Sequence, residues 1–390
     1  MNDLVTERPA PVSVVADAEA SALSDLSNEL RRDVHGVLGI PIDVTDMDGV
    51  LARIYAATAA ATPLWISTPN LDFLASSRSD PEFRESLLLS DLCVPDGMPI
   101  VWISRMLGIP IKRRIAGADI FAGLKLRVNP RLTTFLFGGA EGIAERASRR
   151  INQEKCGLTC VGTLNPGFRP VEEMGGSDVI DTVNLSSAHV LAIGLPARKG
   201  QPWLLRNRHR LTIPVRASLG ATLNFQAGSI ARAPAFMRSY GLEWLWRIKQ
   251  EPYLWKRYWS NLCTLAFLLL TRVFPLAVWG RCARDNRELT IQRGQGANAT
   301  VLHLTGAAVA RHVAKAATWI GASLSSAGPM TIDMSKVTTI DTRFIGLLLM
   351  TRKSLGKLNQ PLRLVGVSFR VRTMMQLNGF GFLLEASGRG

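Results

Sequence analysis

The sequence predicts an α/β protein: a Rossmann-like, mostly parallel sheet with flanking helices, plus a smaller C-terminal α/β domain. Three observations predict it. Short apolar, β-branched runs alternate with longer segments of helical period from Pro63 to about residue 240. The rhythm then gives way to a block rich in Trp, Tyr and Arg, and a polar, glycine-bearing stretch follows before a second set of strand-like and helix-like runs. At 390 residues, two domains with a connecting segment are the natural expectation.

Residues 1–35, rich in Ala, Ser, Asp and Glu with little periodicity, read as a flexible leader outside the fold. In the domain expected over 36–240, strands are predicted at LWIST from Leu64, TTFLF from Thr133, LTCVG from Leu158, HVLAIG from His189 and TIPVRAS from Thr212, with a helix over 141–154. Ligands of such sheets bind at the carboxyl ends of the strands. Residues 241–283 form a basic, aromatic appendage whose apolar stretch, 262–279, is interrupted by Arg272 and Pro275. A spanning helix wants ~20 apolar residues, so this segment is expected to lie in the membrane interface, the alternative being a buried core helix.

Residues 284–298 read as a linker. The last domain, 299–390, is predicted to run strand VLHLTG from Val301, helix 309–324, strand MTIDM from Met330, helix 344–358, strand LRLVGV from Leu362 and helix 371–377.

Formal net charge is +15, which suits anionic partners, and the charge is concentrated: from Arg198 to Glu288 sixteen Lys and Arg face four acids. Those bases interleave with apolar residues instead of forming an exposed stripe, and no recognition motif accompanies them, so nucleic acid is not an expected partner. Five scattered cysteines and the lack of a secretory signal point to a reducing cytoplasm. Cys156 and Cys160 have no second Cys or His pair at ligand spacing, so neither a metal nor another cofactor is expected.

One carboxylate stands out. In LCVPDGMPIVW, Asp96 sits between an apolar run and a glycine. Unpaired carboxylates are costly to desolvate, so it either pairs, caps the following helix, or is used for its raised proton affinity. Thr68 and Asn70, in ISTPN, end another expected strand and put polar groups on the same rim. LFGGAEGIAERA follows a strand and opens a helix, so Gly138 and Gly139 serve either a phosphate approach or a tight turn.

TPNLDFL, then SDLCVPDGMPIVWISRMLGIPIKRRIAGADIF, then FLFGGAEG, then LGATLNFQAGSIARAPAFMRSYGLEWLWRIKQEPYLWKRY together resemble the WecG/TagA/CpsF family of bacterial glycosyltransferases, from about residue 40 to 258. The resemblance implies inverting transfer of a sugar from a nucleotide donor, usually UDP-linked, to a polyprenyl diphosphate-linked glycan at the cytoplasmic membrane. It implies Asp96 as general base beside Thr68, and a donor site from Asn70, Gly97, Arg114, Gly117, Asp119, Gly138, Gly139, Gln201 and Asn224. Arg232 of the RAP block, Arg247 of the block with Glu243 and Trp244, and Arg257 with Tyr258 are implied to meet acceptor, diphosphate or membrane. Two departures bear on donor choice. Where the family has G-x-P-x-Q-E-x-x-W this chain has GLPARKGQPW, so Gln201 corresponds only with a shift, and Asn224 stands where relatives often carry aspartate.

An inverting transfer suits these residue types. A carboxylate near apolar walls takes the attacking hydroxyl's proton, and arginines with helix N-termini meet the charge that builds on the departing diphosphate.

IDMSKVTTIDTRFIGLLL resembles the STAS domain of anti-sigma factor antagonists, over about 299–384. Thr342, beside Asp341, occupies the place of the residue phosphorylated in some relatives, with Arg343 replacing a small one. The whole reads as a transferase of exopolysaccharide or surface-polymer assembly, attached peripherally to the inner face of the cytoplasmic membrane. A STAS partner protein and a homo-oligomer are further expectations. The alternative is a degenerate transferase retained as a scaffold or STAS signalling module.

Overall fold

The protein is described here from a computed structural model covering residues 26–282, 285–295, 300–324 and 328–385. The described chain divides into a larger unit, His35–Arg284 with Met374–Phe380, and a smaller one made of residues up to Val34, Asp285–Thr373 and those from Gly381.

In the larger unit, β1 (Val34–Val37) and β2 (Ile40–Asp43) make a two-stranded sheet. A six-stranded sheet contains β3 (Leu64–Ser67), β4 (Leu92–Cys93), β5 (Leu132–Phe137), β6 (Leu158–Leu164), β7 (Val190–Ile193) and β8 (Val215–Ser218). Its order is β4-β3-β8-β7-β5-β6, with every pair parallel. Helices cover both faces of the inner strands, so β3, β7 and β8 are buried along their length, whereas the edge strand β6 alternates, with Thr159 and Val161 exposed. In β7, Val190 and Ala192 feed one core with Phe121 and Ile151, while Leu191 and Ile193 feed another, where Phe137 stacks on Trp203 at 4.5 Å. β5 leads outward to β6, whereas its neighbour β7 leads back to β8, which makes their carboxyl ends a topological switch point.

The appendage expected at 241–283 belongs to this unit. Helix Trp255–Leu268 continues through a π-helical turn, Leu269–Val273, into helix Phe274–Cys282. Arg272 and Pro275 therefore do not end it. Pro275 has no N–H and its ring would crowd the carbonyl four residues back, and the widened turn just before it relieves both problems. Arg272 donates to the Gln376 carbonyl at 2.7 Å. Leu265, Leu268 and Val273 pack against Phe73, Ile100, Val101 and Ile103, while Trp259 and Leu270 remain 62% and 74% exposed.

The smaller unit holds β9 (Thr290–Gln295), β10 (Thr300–Ala308), β11 (Met330–Ile340) and β12 (Leu362–Val365) in the order β12-β11-β10-β9, with only β9 antiparallel. Helices Val313–Leu324, Thr342–Lys357 and Phe369–Leu377 follow their expected positions. β9 falls in the expected linker. Among the described residues there, only Leu289 and Ile291 turn inward, so its polar outer face hid the strand.

The leader expected over 1–35 is also corrected in part. Residues 26–31 form a helix with Leu26 and Leu30 buried. Glu29 pairs with Arg32, and Lys353 Nζ lies 3.1 Å from its Oε1. Arg343 reaches Asp33 Oδ1 at 2.7 Å and donates to the Arg32 carbonyl at 2.9 Å. The acidic, arginine-bearing composition disguised a packed segment.

Candidate active site

Three loops at the carboxyl ends of β3 and β4 are tied together by backbone bonds. The Val94 N–H donates to Ser67 O at 3.0 Å, the Asp96 N–H to Pro69 O at 2.8 Å, and the Ile115 N–H to Pro95 O at 2.8 Å. These bonds set Thr68 and Asp96 on one rim, with Arg114 and Asp119 approaching it. Gly97, at φ +109°, is the N-cap of helix Met98–Met106. That φ lies where side chains are strained, so glycine lets the chain turn into the helix directly after Asp96. No side chain caps that helix, so Asp96 is not used as its cap.

Asp96 retains 26% of its side-chain surface yet sits deep among protein groups. Burial pushes its carboxyl up from 3.8 to about 7; Arg114 and the Gly117 N–H pull it down, while Glu243 and Asp119 reinforce the rise. Arg114 Nη1 lies 3.7 Å from Asp96 Oδ1, and its Nη2 lies 2.8 Å from Glu243 Oε2. The carboxyl is near its midpoint at neutral pH, suited to taking a proton.

Asp119, in the first turn of helix Gly117–Leu126, accepts from Arg232 Nη2 at 2.6 Å and lies 3.4 Å from Arg238 Nη1. Arg232 and Arg247 also sit over the Phe225 ring at 5.8 and 5.6 Å, one residue beyond Asn224. Arg247 pairs with Glu251, which accepts from the Tyr253 hydroxyl at 2.6 Å. The Nε–H groups of Arg232, Arg238 and Arg247 are buried without a partner. Buried donors left unspent fit an anionic ligand. Sequence reasoning missed Arg238, six residues after Arg232; the density of arginines in RAPAFMRS was the available signal.

The other expected residues take varied positions. Asn70 caps helix Leu71–Ser79, accepting from Asp72 N and Phe73 N at 3.0 and 3.2 Å. Thr68 is buried. Gln201 is 0% exposed, and its Nε2 donates to Ser67 Oγ at 2.9 Å, which places it beneath the rim, one residue from Thr68. Gly138 and Gly139 end β5 at φ +87° and +94°, and a Cβ on Gly138 would lie 2.7 Å from Leu195 Cδ2. Packing alone therefore accounts for Gly138. Arg257 lies over the Tyr258 ring at 5.3 Å, and Tyr258 neighbours Trp244 at 6.2 Å. In the smaller unit, Thr342 opens helix Thr342–Lys357, whose N-cap Asp341 accepts from Phe344 N at 2.8 Å and Ala310 N at 2.6 Å. Among the described residues no cluster of metal-ligating side chains occurs.

Residues 35–277 match the glycosyl transferase WecG/TagA/CpsF family, and residues 291–385 match the family described as Mlab, STAS domain. The N-acetylglucosaminyldiphosphoundecaprenol N-acetyl-beta-D-mannosaminyltransferase of Bacillus spizizenii is 25% identical over 194 residues, covering 50% of this chain and 74% of its own. The protein of that name from Bacillus subtilis is 26% identical over 193 residues, covering 49% and 73%. The one from Staphylococcus aureus strain MW2 is 23% identical over 238 residues, covering 60% and 89%.

Proposed function

The chain belongs to the glycosyl transferase WecG/TagA/CpsF family, and from that premise we propose that it moves an N-acetylhexosaminyl or hexosyl group from a UDP-linked donor to a polyprenyl diphosphate-linked sugar, with inversion. The acceptor hydroxyl oxygen bonds to the anomeric carbon as the bond from that carbon to the UDP oxygen breaks. Asp96 takes the hydroxyl proton, and the diphosphate leaves with the bonding electron pair. Arg232, Arg238 and Arg247, clustered around Asp119 and the Phe225 ring, meet its charge. That trio beside the Asp96–Arg114 pair is the observation that supports the reading most directly.

The assay is transfer of labelled sugar from a panel of UDP-N-acetylhexosamines and UDP-hexoses to N-acetylglucosaminyldiphosphoundecaprenol. A product one sugar longer is expected, and a folded protein that transfers none of them overturns the proposal. Arg238→Gln is expected to raise the donor KM about 10- to 100-fold, the range for losing a charge-assisted hydrogen bond. Steady-state kinetics against donor concentration checks it.

The long helix that carries Trp255, Trp259, Leu262, Phe267, Leu270 and Phe274 on its exposed side meets the lipid bearing the acceptor. Pro252–Gly280 is long and apolar enough to cross a membrane. Its opposite stripe is packed into the unit's own core, which favours lying in the interface over spanning. Trp259→Glu combined with Leu270→Glu is expected to weaken binding to anionic vesicles at least about tenfold in a flotation assay, while leaving the melting temperature unchanged. The STAS-like unit recruits or regulates through a protein partner.

A further inference from the structure

Arg114 is divided between two carboxylates. The closer contact, 2.8 Å, goes to Glu243, and Asp96 receives only the 3.7 Å one. A guanidinium free to turn its fork on a lone carboxylate binds it through two parallel bonds, and a carboxylate so held is a poor proton acceptor. The groups that face Asp96 are Arg114 from the loop before helix Gly117–Leu126, the Gly117 N–H and Asp119 from that helix, and Glu243 from helix Glu243–Gln250. Asp119 is already engaged by Arg232 and Arg238. Of these groups, Glu243 is the one that competes for Arg114.

We propose that Glu243 is a positioning residue for the transfer reaction: it draws Arg114 away from Asp96 and so keeps the Asp96 carboxylate able to accept the acceptor's proton. The inference rests on the base role proposed above for Asp96. Glu243 does not touch the reacting atoms. It follows in sequence the segment that supplies Arg232 and Arg238, so base strength depends on the same segment that brings cations to the leaving diphosphate. With that segment in place, the base is tuned and the charge is met together.

The test is the pH dependence of kcat/KM for the full chain in the transfer assay, comparing wild type, Glu243→Gln, Glu243→Asp and Asp96→Asn. Glu243→Gln removes an anion that raises the Asp96 proton affinity and releases Arg114 onto the carboxylate. Its acid limb is therefore expected to move down by on the order of one pH unit, with a several-fold lower plateau because the base is weaker. Glu243→Asp keeps the charge and is expected to restore much of both. A limb that stays in place or moves up in Glu243→Gln, with Asp96→Asn inactive, overturns the inference and leaves the base reading standing. An Asp96→Asn variant that keeps the wild-type rate and limb overturns the base reading itself. Should Glu243→Gln fold poorly, infrared titration of the Asp96 carboxyl in Glu243→Ala and wild type, without turnover, decides the same question: a midpoint that is unmoved or raised in the variant overturns the inference.

Discussion

Replacing Asp96 by asparagine is expected to lower kcat by about 10²- to 10⁴-fold, the usual worth of a positioned general base, with donor affinity near that of the wild type. Asparagine keeps the shape and cannot take the proton. In the wild type, kcat/KM should rise with pH through the Asp96 midpoint near 7 and level off above it, because only the ionised form is a base. The loss is distinguishable from misfolding by the sign of the stability change. A carboxyl whose folded pKa is raised above 3.8 favours the folded state below that value, and the benefit is lost as pH rises through about 7. At pH 8 the wild type therefore carries a buried charge that the variant lacks. Asp96→Asn should melt no lower than the wild type there, and calorimetry paired with the rate measurement checks both halves.

Glu29→Ala is expected to destabilise the smaller unit by about 3–5 kcal/mol, the range for breaking a buried ion pair from one side. Glu29 is buried, and Lys353 is 3% exposed in its side chain. Burial disfavours the Glu29 charge, but Arg32, Lys353 and Lys357 outweigh it and hold the carboxyl down to about 2. A depressed folded pKa gives stability that is present above 4.5 and lost as pH falls toward 2. Denaturant unfolding at pH 7 should show the full difference between variant and wild type, and at pH 2.5 most of it should have vanished. An equal difference at both pH values would assign the effect to lost packing instead.

The parts of this protein that could be read from its sequence share one property: their cause is local or lies within a compact block. β3, β5, β7 and β8 are buried on nearly every residue, so each run announces itself, and edge strand β6 is legible from its alternation of buried and exposed residues at Leu158–Val161. Asp96, Arg114 and Asp119 fall within 24 residues, and the resemblance carried them as ordered blocks. What escaped reading depends on partners far along the chain. The Leu38 N–H donates to Asn378 Oδ1 at 2.8 Å across 340 residues, and nothing near Leu38 foretells it. Gln201 looked like a ligand because of its motif, yet Ser67 takes its amide in the interior. Glu243 was visible as one letter of a block, but that Asp96 shares Arg114 with it is a matter of three-dimensional placement.

The chain changes unit after Val34, after Arg284, after Thr373 and after Phe380. Arg343 meets the Arg32 carbonyl across 311 residues. A ribosome making this protein releases the 26–31 helix long before the helix that will hold it exists, and the β1–β2 turn waits equally long for Asn378. Loop closure on this scale is slow compared with local folding. Neither unit can be completed until the chain has been made past Phe380, so a product that stops before it, however much of the transferase sequence it carries, lacks pieces of both.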